Sequence, residues 1–95
     1  MAYKIVIKKR FTNKVINVLS YLEKEWGGNV PREFLVILDS KLNALQKHPR
    51  IGGLTNIKNV RGIHVTKHNR MYYKVEGNTI TVLNLFDTRR KNYRK

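Results

Sequence analysis

Residues 69–86, NRMYYKVEGNTITVLNLF, decide how this chain folds. Met71, Tyr73 and Val75 alternate with Arg70, Tyr72 and Lys74, so one side of the segment is apolar and the other polar, as in a half-buried strand. EGN at 76–78 reads as a turn, and TITVLNLF at 79–86 as the returning antiparallel strand. Within that second strand Ile80 and Val82 give way to Leu83 and Leu85, apolar residues on the opposite parity. A central strand covered on both faces produces that pattern, and so does a bulge. Just upstream, Ile63 and Val65 alternate with His64 and Thr66, which adds a third strand.

Before residue 50 the period is different. Val15, Leu19, Leu22 and Trp26 are spaced by four, three and four residues and share one helical face, with Trp26 expected in the core. Thr12 or Asn13 is placed to cap this helix, and Gly27–Gly28 to stop it. A second helix opens near Pro31, carries Phe34, Leu38, Leu42 and Leu45 on one face, and ends at Pro49. About four residues join the two, which predicts an antiparallel helical hairpin. Ahead of it, YKIVIK at 3–8 reads as a strand. The expected architecture is α+β and two-layered: an N-terminal strand, the helical hairpin, then three antiparallel strands in one sheet. No linker or repeat divides the sequence, so residues 1–95 are expected to form a single domain.

Twenty Lys and Arg against six Asp and Glu leave a net charge of +14 on 95 residues. The surplus is uneven: residues 49–95 hold eleven cations and two carboxylates, Glu76 and Asp87. Such a field draws in polyanions or an acidic protein that masks it. Cysteine is absent, which excludes disulfides and thiolate chemistry and suits a reducing cytoplasm. No apolar run reaches the roughly 18 residues of a membrane span, and MAYKIVIKKRF lacks the features of a signal peptide.

Four stretches, in this order and at this length, carry a family likeness: YKIVI near the start, LQKHPRIGGLTNIKNVRG after the hairpin, NRMYYKV, and VLNLFDTRRKN at the end. With them the chain resembles the RelE/ParE superfamily of bacterial type II toxin–antitoxin toxins along essentially its whole length. The resemblance implies a small cytoplasmic toxin restrained by a cognate acidic antitoxin. RelE-like members are ribosome-dependent mRNA endoribonucleases, whereas ParE-like members inhibit DNA gyrase and lack the nuclease residues. The sequence reading favours the nuclease, with the gyrase inhibitor as the alternative.

Metal-free RNA cleavage uses the 2′-hydroxyl as nucleophile. It needs a base, cations around the phosphoryl oxygens and an acid for the leaving oxygen. By the resemblance, Arg70 would grip the scissile phosphate, and Arg89, or Arg90 in the competing alignment, would neutralise developing charge. His64, on the polar side of its strand, is the candidate general base because imidazole titrates near neutrality. Tyr93 is the candidate acid or a stacking platform, although the nuclease branch places its equivalent on a longer C-terminal segment. Arg61, Arg90, Lys67 and Lys74 complete the expected phosphate contacts. No cofactor or metal is called for, since the helix carboxylates Glu23, Glu25, Glu33 and Asp39 form no ligand set. His48 is expected to offset a helix dipole, His68 to lie in a hairpin turn, and Asp87 to cap or pair with its basic neighbours.

Overall fold

The computed structural model describes residues 3–88. Its elements run β1 (Lys4–Ile7), α1 (Lys9–Glu25), α2 (Val30–Lys47), β2 (Gly53–Leu54), β3 (Val60–Thr66), β4 (Asn69–Glu76) and β5 (Thr79–Asp87). The five strands form one mixed sheet in the order β1-β5-β4-β3-β2. The helical hairpin lies on one face of it, giving the expected two-layer α+β architecture. β3, β4 and β5 are joined antiparallel, while β1 runs parallel to β5, with Ile5 beside Ile80 and Ile7 beside Val82. The short β2 pairs antiparallel with β3 and was not foreseen, because two residues are too few to show an alternation.

Helix α1 starts earlier than a Thr12 or Asn13 cap would place it. Lys8 is the capping residue, in extended conformation, and its side chain makes no cap bond. Its N–H still completes the sheet by donating to Val82 O (3.0 Å), and its carbonyl accepts the Thr12 N–H (3.2 Å). The strand therefore passes into the helix without a loop, and Phe11 falls inside the first turns as a core residue, 2% exposed. Trp26 is the reverse case. It is 71% exposed, not core, because α1 ends at Glu25 and the cap conformation at Trp26 takes its side chain off the helical stripe. In α2 the expected face holds: Phe34, Leu38 and Leu45 are buried, and Leu42 packs against them.

The sheet contributes Met71, Tyr73, Ile80, Val82 and Leu85 to the core, all at most 2% exposed. The parity change in β5 is a bulge. Tyr72 pairs with Asn84 and Tyr73 with Val82, so Leu83 is the extra residue and Leu85 returns to the core side. A second irregularity lies at Val65, between the His64–Arg70 and Thr66–Asn69 pairs. Among the described residues no helix is long and apolar enough to cross a membrane.

Candidate functional site

The pairing of β3 with β4 decides which polar side chains meet. His64 stands opposite Arg70, and Arg70 opposite Phe86 on β5, so one cross-strand row on the face away from the helices holds a cation, an imidazole and a ring. The next row holds Gly62, Tyr72 and Asn84. Arg70 does not stay over its direct partner His64. Its guanidinium runs diagonally onto β3 and lies against the Gly62 backbone: a Cβ built on Gly62 would stand 2.8 Å from Nη2 and 3.0 Å from Cζ. Gly53, the partner of Gly62 on β2, lies farther on, and a Cβ there would be 3.9 Å from Nη2. Arg70 Nε is buried and has no hydrogen-bond partner among the described residues.

From Arg70 a ladder of two rings flanked by two cations crosses the sheet. The Arg70 guanidinium carbon is 5.5 Å from the Tyr72 ring centre. Tyr72 meets Phe86 edge to face at 5.3 Å with an interplanar angle of 78°. Lys14 Nζ lies 4.7 Å from the centre of the Phe86 ring and donates to Leu85 O (3.2 Å). β1 pairs with β5 only as far as Val82, so Lys14 reaches the part of the β5 edge that β1 leaves open. Cations over ring faces are held electrostatically, each contact contributing on the order of 0.5–1 kcal/mol when exposed. The roles of Lys14 and Phe86 were missed from sequence. Lys14 sits on a helix far along the chain, and only strand register sets Phe86 against Arg70 and Tyr72.

The other expected residues are distributed as follows. His64 is exposed and shares the Arg70 row. Arg61 is on the opposite, helix-side face beside Tyr73, where its Nη1 donates to the carbonyls of Gly52 (2.8 Å) and Arg50 (3.3 Å). It braces the loop after α2 and does not join Arg70. Lys74 lies four residues along β4 from Arg70, about 13 Å away at the usual strand rise, and pairs with Glu76 at 3.3 Å. Lys67 is exposed in the β3–β4 turn, its carbonyl accepting the Thr88 hydroxyl (3.2 Å). Thr66 was expected beside His64, but the bulge at Val65 turns it toward the helices. There it donates to Asn69 Oδ1 (2.9 Å) and lines a groove. Arg89, Arg90 and Tyr93 lie outside the described residues. Among the described residues no three His, Asp or Glu side chains gather into a metal site.

That groove, about 760 Å³, opens between the helical hairpin and the end of the sheet. Tyr21, Trp26, Phe34, Ile37 and Phe86 give it an apolar lining, with Glu33 and Asp87 also on its walls. On the far side of the core, the Tyr73 hydroxyl donates to Pro49 O (2.8 Å) and accepts the Gly52 N–H (2.9 Å). Burial pushes this phenol above its ordinary pKa of 10.0, and the Gly52 bond and the Arg61 charge pull it partly back.

Residues 5–92 match the sequence model of a family described as the ParE toxin of the type II toxin–antitoxin system parDE. No curated protein matches the chain. Several solved structures share its fold. A chain of the chromosomal ParDE toxin–antitoxin system from P. aeruginosa superposes with a TM-score of 0.77 at 11% identity, covering 90% of this chain and 96% of that one. The intact E. coli RelBE toxin–antitoxin complex gives 0.65 at 19% identity, covering 94% and 100%. The YoeB dimer from Staphylococcus aureus gives 0.62 at 11% identity, covering 90% and 97%. At such identities the likeness is one of fold, and the family match along nearly the whole sequence supplies the rest: the chain belongs to the ParE toxin family of type II toxin–antitoxin systems.

Proposed function

We propose that this toxin acts in the ParE manner, binding and inhibiting DNA gyrase without itself cutting nucleic acid, in place of the mRNA cleavage that the sequence reading favoured. The match to the ParE family over residues 5–92 carries the proposal. The site geometry agrees with it. His64 is exposed and has no orienting partner among the described residues, whereas a general base is normally held by a third group. Arg61 is engaged with backbone carbonyls and is not aimed at a phosphate. What the open sheet face offers is a positive, partly aromatic surface led by Arg70, suited to gripping a phosphate of the DNA that gyrase holds.

The restraining partner is an acidic antitoxin. Its amphipathic segment fits apolar anchors into the groove lined by Tyr21, Trp26 and Ile37, while its carboxylates answer the +14 charge. Solved relatives from P. aeruginosa and E. coli come from such toxin–antitoxin systems.

One observation favours a second reading, a ribosome-dependent mRNA endonuclease. The Arg70–Tyr72–Phe86–Lys14 ladder combines basic groups with aromatic rings, as single-stranded RNA binders do. In that reading Arg70 holds the phosphate, His64 is the base, and Arg89 and Tyr93 supply charge neutralisation and the acid. Inducing the chain in cells while following DNA integrity, plasmid supercoiling and message length separates the two. DNA breaks and lost supercoiling with intact message are expected; rapid message cleavage with normal supercoiling would replace the gyrase proposal with the endonuclease.

A further inference from the structure

Arg70 has an arrangement that its strand pairing does not require. Its direct neighbour on β3 is His64, yet its guanidinium lies diagonally over Gly62. The position is available only because Gly62 has no side chain, since a Cβ there would overlap Nε and come within 2.8 Å of Nη2. Glycine inside a strand commonly marks such a close approach. The arrangement also costs something: Nε is buried with no partner among the described residues, and a buried unpaired donor on a charged group is destabilising. Groups left unsatisfied in this way call for an explanation.

We propose that Gly62 is a positioning residue for Arg70, forming the berth that fixes the guanidinium flat on β3 beside Tyr72. A guanidinium can take an oxyanion through Nε and one Nη, or through its two Nη groups. With Nε turned into the strand the first mode is closed. Arg70 therefore presents the pair of Nη groups and receives one phosphate end-on. This rests on the function proposed above only in taking the phosphate from the DNA bound to gyrase; the berth itself is independent of whether gyrase or message is attacked.

The test uses the full chain as wild type and as Gly62→Ala, Arg70→Ala and Arg70→Lys. The added methyl meets a movable side chain, so Gly62→Ala should keep its circular dichroism and melt close to wild type. In nitrogen-15 spectra the wild-type Arg70 Nε–H should exchange with water more slowly than those of the exposed Arg32 and Arg50, and Gly62→Ala should abolish that protection. On graded induction in cells, Gly62→Ala should lose about tenfold or more in killing potency, as expected for losing a charge-assisted bidentate contact. Arg70→Lys, which keeps the charge, the berth and the fold but not the planar fork, should lose as much. Should Gly62→Ala kill like wild type while Arg70→Ala is inert, the positioning role is overturned and the place of Arg70 in the target site stands. If Nε–H is unprotected in the wild type, the berth is overturned. If Arg70→Ala kills at full potency, Arg70 does not contact the target and both statements fall, whereas the supercoiling assay judges gyrase separately.

Discussion

The phenol of Tyr73 ties the loop after α2 to the core through two hydrogen bonds, to Pro49 O and from the Gly52 N–H. Tyr73→Phe should keep the ring's packing but leave the Gly52 N–H buried and unpaired, which costs about 1–3 kcal/mol. Calorimetry should show this as a drop of roughly 4–8 °C in melting temperature per kcal/mol. The same group sets a pH dependence. Its pKa in the fold is raised above 10.0, so the unfolded chain gives up the proton first as pH rises. Its contribution is complete below about pH 10 and is lost from there upward through the folded pKa. Urea titrations on either side of that value should show an alkaline decline in wild type that Tyr73→Phe lacks, and equal declines in both would refute the assignment. Gly52→Ala is a harsher change nearby. Its Cβ would stand 2.7 Å from both Gly62 O and the Tyr73 hydroxyl, and the backbone carbonyl cannot swing away. A loss of about 1–3 kcal/mol or more is expected.

Among the elements, α1 is the one whose ends the sequence misplaced. Its inner face was read as beginning at Val15 and closing on Trp26, whereas Phe11 anchors it and Trp26 stands outside. The two residues give a paired prediction. Phe11→Ala empties a buried site and should cost about 3–5 kcal/mol. Trp26→Ala should move the unfolding midpoint by no more than about 0.5 kcal/mol, and the wild-type indole should fluoresce as a solvent-exposed one. A large loss for Trp26→Ala would mean that the helix end packs differently. The strands were more legible. Inward and outward positions of β4 follow from alternation alone, and of the two explanations that the parity change at Leu83 allowed, the register shows the bulge, which keeps Leu85 in the core. β2 and the bulge at Val65 left no trace in the pattern, because both are short interruptions set by their partners.

Across the whole molecule the charge dominates. A net +14 on 95 residues repels itself in the folded state, so salt should stabilise the isolated chain. Raising sodium chloride from about 50 mM to about 500 mM shortens the screening length from roughly 14 Å to roughly 4 Å, and the melting temperature should rise with it. Binding to gyrase with its DNA should run the other way, weakening steeply with salt in proportion to the DNA phosphates neutralised. Binding that is indifferent to salt would argue that the apolar groove carries the contact and the open sheet face does not.

The order of strand, helical hairpin and antiparallel strands was fixed by local periodicity, and so was the polarity of each β4 side chain, because 3.6 and 2 residue repeats are written in the chain itself. Net charge and family likeness were equally open to reading. The sequence did not say that Arg61 would brace a loop on the helix side while Arg70 lay over Gly62. Nor did it show that Lys14 and Phe86 would join one ladder. Those contacts unite residues as far apart as Lys14 and Phe86, and they depend on strand register and two bulges that only packing of the complete sheet against the hairpin decides.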